Sequence, residues 1–239
     1  MAVARADAPS FDRPGIAFST STIPRGSLAI ELGVPDFVHA SYGGVTDTTY
    51  RLDTNFRTGI SRALELELAE PVFNYDHADF GQRSQSATGF GDTTLSLKAT
   101  LPSRSSNFSW AMLASATFVS GAKAFSAGTT QYQLATSMFE KLDEAYTVGF
   151  YAQLNDSADS SGYMLSPSLN FATNPTLSGY LEAAYSHDSH NPDTSVAGAG
   201  LAWMATPIVQ LDLSFDVGLT HESPKIQGGF GVSVYLARL

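Results

Sequence analysis

Two clusters in this chain gather side chains that often do chemistry. His187-Asp188-Ser189-His190, with Asp193, offers imidazoles and carboxylates, which suit zinc or copper. Asp76 and Asp79, with His77 between them, form a smaller version. Both lie in polar stretches, with no helix or strand expected there to hold ligands and their supporting shell. Solvated loops are the simpler reading, and no metal is expected. Lipid hydrolysis at a membrane edge would need a base within reach of a nucleophile. Yet His39, His77, His187, His190 and His221 all fall in longer connectors on one side, and no G-x-S-x-G elbow occurs. No nucleophile, base and orienter can be placed together, so the chain is not expected to be an enzyme. Gly89-Phe90-Gly91-Asp92 is a glycine turn without a following helix to receive phosphate. It reads as a bend entering a strand, and no cofactor is expected.

The remaining charged residues follow a rhythm of two. In Tyr50-Arg51-Leu52-Asp53-Thr54-Asn55-Phe56-Arg57, one face carries Tyr50, Leu52, Thr54 and Phe56 and the other carries Arg51, Asp53, Asn55 and Arg57. Only a β-strand places alternate residues on opposite faces. The same reading puts Glu31, Arg51, Asp53, Arg57, Glu65, Glu67, Lys98, Glu182, Asp212 and Asp216 on one inner, polar face. Seven of these ten are acidic. Lining an open lumen, they would favour cations, because rings of like charge select ions. Alternatively Arg51, Arg57 and Lys98 pair with neighbouring carboxylates as an internal polar core that closes the lumen. A barrel of about twelve strands lies between side-chain-filled and open barrels, and both readings stand.

About a dozen segments carry this alternation. The first spans about 26–34 and the third 62–72. Later ones include 92–101, 108–118 and 209–219, where Val209, Leu211, Leu213, Phe215, Val217 and Leu219 oppose Gln210, Asp212, Ser214, Asp216 and Gly218. Segment 131–139 is weaker, and Pro167 weakens 163–171 because proline donates nothing to a ladder. Long connectors (35–46, 74–88, 120–130, 186–194) alternate with short ones (59–61, 140–144, 172–175, 205–207). Outer-membrane barrels show this asymmetry, with long extracellular loops and short periplasmic turns. Tyr50, Trp110, Phe118, Tyr146, Tyr185 and Trp203 fall near strand ends, where aromatic girdles form. Periodicity alone leaves open which face points outward, since a soluble sandwich or lipocalin-like barrel has the same period.

Composition narrows the class. Of 239 residues, 43% are apolar and only 15% charged, below the quarter usual in soluble domains. No apolar run approaches the eighteen residues of a transmembrane helix. With no cysteine, disulfides, Cys-ligated zinc and thiol catalysis are excluded. A formal charge of −10 argues against nucleic-acid binding. Met1-Ala2-Val3-Ala4-Arg5 leads into no apolar h-region, so a signal peptide is read as absent from this chain.

At Gly89-Phe90-Gly91-Asp92-Thr93-Thr94-Leu95-Ser96-Leu97-Lys98 the chain resembles the outer-membrane barrel family named for the MetA pathway of phenol degradation, which carries a "GFGD…L.LK" strand after a long loop. Asp12-Arg13-Pro14-Gly15, Ile23-Pro24-Arg25-Gly26 and Leu28–Gly33 are similar to the family's opening arm and first strand. Arg57–Leu66 resembles its "R.G.…LEL" turn. The end, Tyr235-Leu236-Ala237-Arg238-Leu239, departs from the family's usual terminal aromatic. The resemblance implies an outer-membrane location and passage of small solutes; its phenol label defines no substrate.

The expectation is therefore an all-β chain: an arm over 1–25, periplasmic or plugging the lumen, and a transmembrane antiparallel β-barrel of about twelve strands over 26–239 in the bacterial outer membrane. Its expected role is a channel or facilitated transporter for small solutes, aromatic or hydrophobic ones among them. Its expected partners are outer-membrane lipid, the solute and the outer-membrane assembly machinery, as a monomer or weak oligomer. The alternatives are a closed structural or adhesive barrel and, after that, a lipid-modifying enzyme.

Overall fold

A strand that is apolar on one face and charged on the other cannot sit alone in lipid, because its backbone groups need partners. In the computed structural model, which describes residues 10–237, the strands solve this by closing on themselves. They are β1 (Leu28–Tyr42), β2 (Val45–Gly59), β3 (Leu64–Asp79), β4 (Ser84–Gly89), β5 (Thr93–Leu101), β6 (Phe108–Phe118), β7 (Gln131–Lys141), β8 (Tyr146–Ser157), β9 (Ser161–Asn174), β10 (Leu177–Asp188), β11 (Thr194–Thr206), β12 (Val209–Gly218) and β13 (Ile226–Leu236). All pairings are antiparallel, and β13 returns to β1. Strands β4 and β5 both pair with β3, one above the other, and form a single interrupted strand. The wall is thus a closed twelve-stranded barrel, and no helix occurs among the described residues. Residues 1–5 and the final two, on which the sequence reading also drew, lie outside the described residues.

Burial is inverted relative to a soluble protein, which decides the outward face. Leu66, Leu97, Leu181, Leu201, Leu213 and Phe215 are exposed, while Glu31, Arg57, Glu65, Lys98 and Asp212 are buried. Leu213 is 56% exposed and Lys98 0%. The apolar face meets lipid and the polar face looks inward. Trp110, Tyr146 and Trp203 ring the short-turn end, and Tyr50, Phe118 and Tyr185 ring the other.

Several expected connectors are strand instead. The stretch 35–46 belongs mostly to β1 and β2, joined by a tight turn at Gly43-Gly44, whose φ values of 60° and 83° suit glycine. The stretch 74–88 is largely the β3–β4 hairpin. Polar composition marked these segments as loops, yet their backbones extend the barrel beyond the apolar band. His39, His77 and His187 consequently lie in strands, while His190 and His221 lie in turns at the same end. Pro167 sits within β9, and its missing donor shows where the β9–β10 ladder skips from Glu182–Ser168 to Tyr185–Leu165.

Two irregularities matter for the interior. In β1 the register shifts between Gly33 and Asp36 against both neighbours, a bulge at Val34-Pro35. An extra residue reverses the alternation and keeps Asp36 on the inner face with Gly33. The second is the break between β4 and β5, where Gly91 donates to the Pro71 carbonyl at 2.7 Å. There Asp92 accepts from the amides of Ser120, Gly121 and Ala127 at 2.8–2.9 Å and from the Ser126 hydroxyl at 3.0 Å. The glycine bend read from the sequence thus also ties down the connector 119–130.

Leu97, in mid-β5 and facing lipid, tests the outward face. Leu97→Arg should cost about 2–4 kcal/mol. Urea unfolding of the barrel in lipid vesicles measures this, and an unchanged midpoint would contradict a lipid-facing position.

Candidate functional site: the occupied lumen

Residues 10–25 leave the start of β1 at the short-turn end and run back inside the barrel. Gly26 donates to the Gly59 carbonyl at 3.1 Å and Arg25 bridges to Gly59, fixing the point of entry. Beyond it the arm touches successive sectors of the wall. The Ile23 amide donates to Glu65 of β3. Thr20 contacts Ser109 of β6 and accepts from Thr100 of β5 through its carbonyl. The Ile16 amide donates to Glu182 of β10 at 3.1 Å. Gln210 of β12 donates to the Arg13 carbonyl at 3.1 Å. The Asp12 and Arg13 amides donate to Glu31 of β1. The arm closes on itself where the Ser19 amide donates to Asp12 at 2.9 Å.

Two charged centres hold the arm. In the first, Arg57 and Lys98, both fully buried, sit among Asp12, Glu31, Glu65 and Glu67. Lys98 Nζ lies 3.0 Å from Asp12, 3.0 Å from Glu65 and 3.2 Å from Glu67. Arg57 contacts Glu31, reaches Glu65 at 2.7 Å and lies 3.3 Å from Asp12. In the second, Arg13 makes a two-pronged contact with Asp36 at 2.8 and 2.9 Å and reaches Asp212 at 3.3 Å. Gly33, Gly229 and Gly231 line this recess, where a Cβ would strike Asp36, Arg13 or Asp212. Those positions need glycine because charged side chains occupy the space.

The ten residues read from the sequence therefore divide. Glu31, Arg57, Glu65, Glu67 and Lys98 meet in the first centre, and Asp212 joins the second. Glu182 takes the Ile16 amide, and Asp216 accepts from Gln227 at 3.1 Å. Arg51 and Asp53 form a half-exposed pair at 3.4 Å beside the second centre, facing Asp36 and Gly33 across the β1–β2 ladder. Asp12, Arg13 and Asp36 are the residues that strand periodicity missed. Asp12 and Arg13 lie in an aperiodic arm, and Asp36 lies beyond the bulge. The signal that could have found Arg13 is the surplus of acids on the inner face.

Asp12, Glu65 and Glu67 converge closely enough to resemble a metal site. The Lys98 ammonium occupies their focus, so the cation there is a side chain. At the far rim, the Tyr185 hydroxyl and the His187 ring both bond Asp193, holding its carboxyl below the ordinary range. The His77 ring contacts Ser86 and the His190 ring contacts Ser189, each at 2.9 Å, while the His190 amide donates to Asp188 at 2.8 Å.

Cavities lie on both sides of the arm. One of about 540 Å³ opens toward the short turns, lined by Phe11, Phe139, Phe171, Tyr180 and Met204. Two others, of about 330 and 200 Å³, lie toward the far end. Arg13 and Gly15 line all three.

A closed, lipid-facing barrel with a polar interior occupied by its own N-terminal arm defines a transmembrane β-barrel. The chain belongs to the family described as "Putative MetA-pathway of phenol degradation", whose model matches residues 11–236. Its fold is similar to that of an outer membrane channel from Pseudomonas putida F1, at 13% identity and TM-score 0.70, covering 94% of this chain and 99% of that one. It is also similar to the KdgM porin (12% identity, TM-score 0.56, 88% and 99% covered). The CymD monoaromatic hydrocarbon channel matches at 8% identity and TM-score 0.51, with 90% and 89% covered. Among curated protein sequences, none matches this chain.

Removing one cation from the first centre leaves four carboxylates to share the other. Lys98→Met should destabilise the barrel by about 3–5 kcal/mol. Arg51→Met, at a half-exposed pair, should cost under about 1 kcal/mol. Unfolding midpoints of the two variants in one detergent check the contrast.

Proposed function

We propose that this protein is a bacterial outer-membrane channel for small solutes, aromatic or hydrophobic ones among them, closed at rest by its own N-terminal arm. The observation that carries this reading is the position of Arg13. It bonds Asp36 and Asp212 from opposite sides of the recess and lines the cavities on both sides of the arm. A solute moving between these cavities must pass the arm or shift it.

In this reading the barrel sits as a monomer or weak oligomer, placed by the outer-membrane assembly machinery, with lipid around the apolar wall. The chain is not an enzyme. Glu31, Arg57, Glu65, Glu67, Lys98, Asp212 and Asp216 line the closed lumen, with Glu182, Arg51 and Asp53 toward its wider parts. Asp36 and Asp212 share one cation, so releasing Arg13 would leave an acid-lined path that favours cations.

Planar-bilayer recording tests it. The native protein should insert and conduct little, whereas Arg13→Ala should open frequently, with at least about tenfold more time in conducting states. Reversal in a KCl gradient should lean toward cations. Large, stable steps in the native protein that are unchanged in the variant would overturn the closed-arm reading.

A further inference from the structure

The limb of the arm opposite Arg13 carries Phe18, whose surroundings hold more chemistry than a phenyl ring uses. The ring is buried on Ala111, Ala135 and Tyr151, with Ile16, Leu113 and Met164 around it. It meets Tyr151 edge-to-face at 6.1 Å between centroids, an arrangement that aromatic pairs prefer. The Lys98 ammonium lies 5.8 Å from its centre, within cation–π range.

Polar groups lie in the same part of the wall. Ser137 on β7 and Ser166 on β9 both face Tyr151 directly across the sheet, and Ser137 also faces Ala111 on β6. Directly opposed residues share a face, so these side chains form one transverse row. Ser137 is 0% exposed and Ser166 1%, and neither hydroxyl has a hydrogen-bond partner among the described residues. Buried hydroxyls are ordinarily paired. A phenyl ring cannot pair them. Small alanines at Ala111 and Ala135 leave room for one ring, and the cavity of about 330 Å³ reaches Phe18 and Tyr151 from the far end.

We propose that this seat is a binding site for a single uncharged aromatic ring bearing a hydroxyl, and that Phe18 is an internal ligand which such a solute displaces. The ring takes the place of Phe18 against Tyr151, and its hydroxyl engages Ser137 or Ser166. The nearest charge, the Lys98 ammonium, is already held by Asp12, Glu65 and Glu67, so the seat offers no free counter-charge to an anionic ring. The proposal rests on the channel reading only for how the solute reaches the seat; binding itself requires no transport.

The test is binding of 4-fluorophenol and of fluorobenzene to the detergent-solubilised full chain, followed by fluorine NMR. Phe18→Ala should raise affinity for 4-fluorophenol about tenfold, because the internal competitor is gone. Adding Ser137→Ala and Ser166→Ala should abolish the preference for 4-fluorophenol over fluorobenzene while fluorobenzene still binds. Heat-modifiable migration on gels confirms folding of each variant. If Phe18→Ala does not fold, Phe18→Leu keeps most of the volume without the ring and should show the same direction of change. Unchanged or weaker affinity in the folded Phe18 variant, or a phenol preference that survives both serine changes, would overturn the proposal. Binding without conductance would count against the channel reading alone; arm-gated conductance without binding would count against this site alone.

Discussion

Two cations buried among four carboxylates are the constraint on which the interior depends. Taking Arg57 and Lys98 out of water carries a large desolvation cost, and only close, well-bonded counter-charges offset it. The wall supplies Glu31 from β1 and Glu65 and Glu67 from β3, the strands on either side of β2 and its Arg57. The remaining carboxylate, Asp12, comes from the arm and takes two of the Lys98 contacts. Docking of the arm and neutralisation of the wall are therefore one event. A barrel without its arm would keep both cations but lose the carboxylate that lies between them.

This coupling explains why the lumen is lopsided. Charge is concentrated on β1, β2, β3, β5, β10 and β12, where Glu31, Arg57, Glu65, Lys98, Glu182 and Asp212 point inward. The inner face of β6 through β9 carries Ser109, Ala111, Ser137, Tyr151, Ser166 and Asn170 instead, neutral and mostly small. Most of the arm's charge-assisted bonds go to the first set, and Phe18 and Thr20 rest against the second. The bulge in β1 belongs to the same design. Regular alternation would turn Asp36 outward into lipid, where a carboxylate is costly, whereas the extra residue turns it to Arg13.

Much of the wall was legible because period two survives wherever lipid lies outside and charge inside. Leu64, Leu66 and Leu68 against Glu65 and Glu67 could be read directly, as could Leu95 and Leu97 against Lys98. The outward direction was not legible from alternation, which is symmetric between faces; connector asymmetry, aromatic strand ends and low charge content pointed to lipid outside, and closure with buried charge bears this out. Polar strand ends such as 37–42 and 74–79 were read as loops because, beyond the bilayer, both faces are wet and alternation fades. The arm was least legible. Its conformation is set by the wall it touches, so Asp12-Arg13 has no local pattern to reveal its partners on β1, β2, β5 and β12. Composition did hold one trace of it: seven acids against three bases on the inner face leave carboxylates for a cation from elsewhere.

The division of the lumen also sets the order in which the arm can yield. Freeing Asp12 breaks a buried ionic centre, at a scale of about 3–5 kcal/mol. Freeing Thr20 breaks neutral hydrogen bonds, worth about 1 kcal/mol each, and Phe18 has only packing and ring contacts to give up. The limb from Ile16 to Thr20 is therefore the weaker one, held to a carboxylate of the wall by the Ile16 amide on Glu182 and to Asp12 by the Ser19 amide. A neutral solute moving along β6 to β9 would displace that limb while Asp12 stays bound to Lys98. In the proposed channel, an ion following the charged wall would meet the Arg13 recess, where it would compete with a guanidinium already held by two carboxylates. One plug would thus present unequal barriers to the two kinds of solute, and the inequality would follow from where the chain placed its charges.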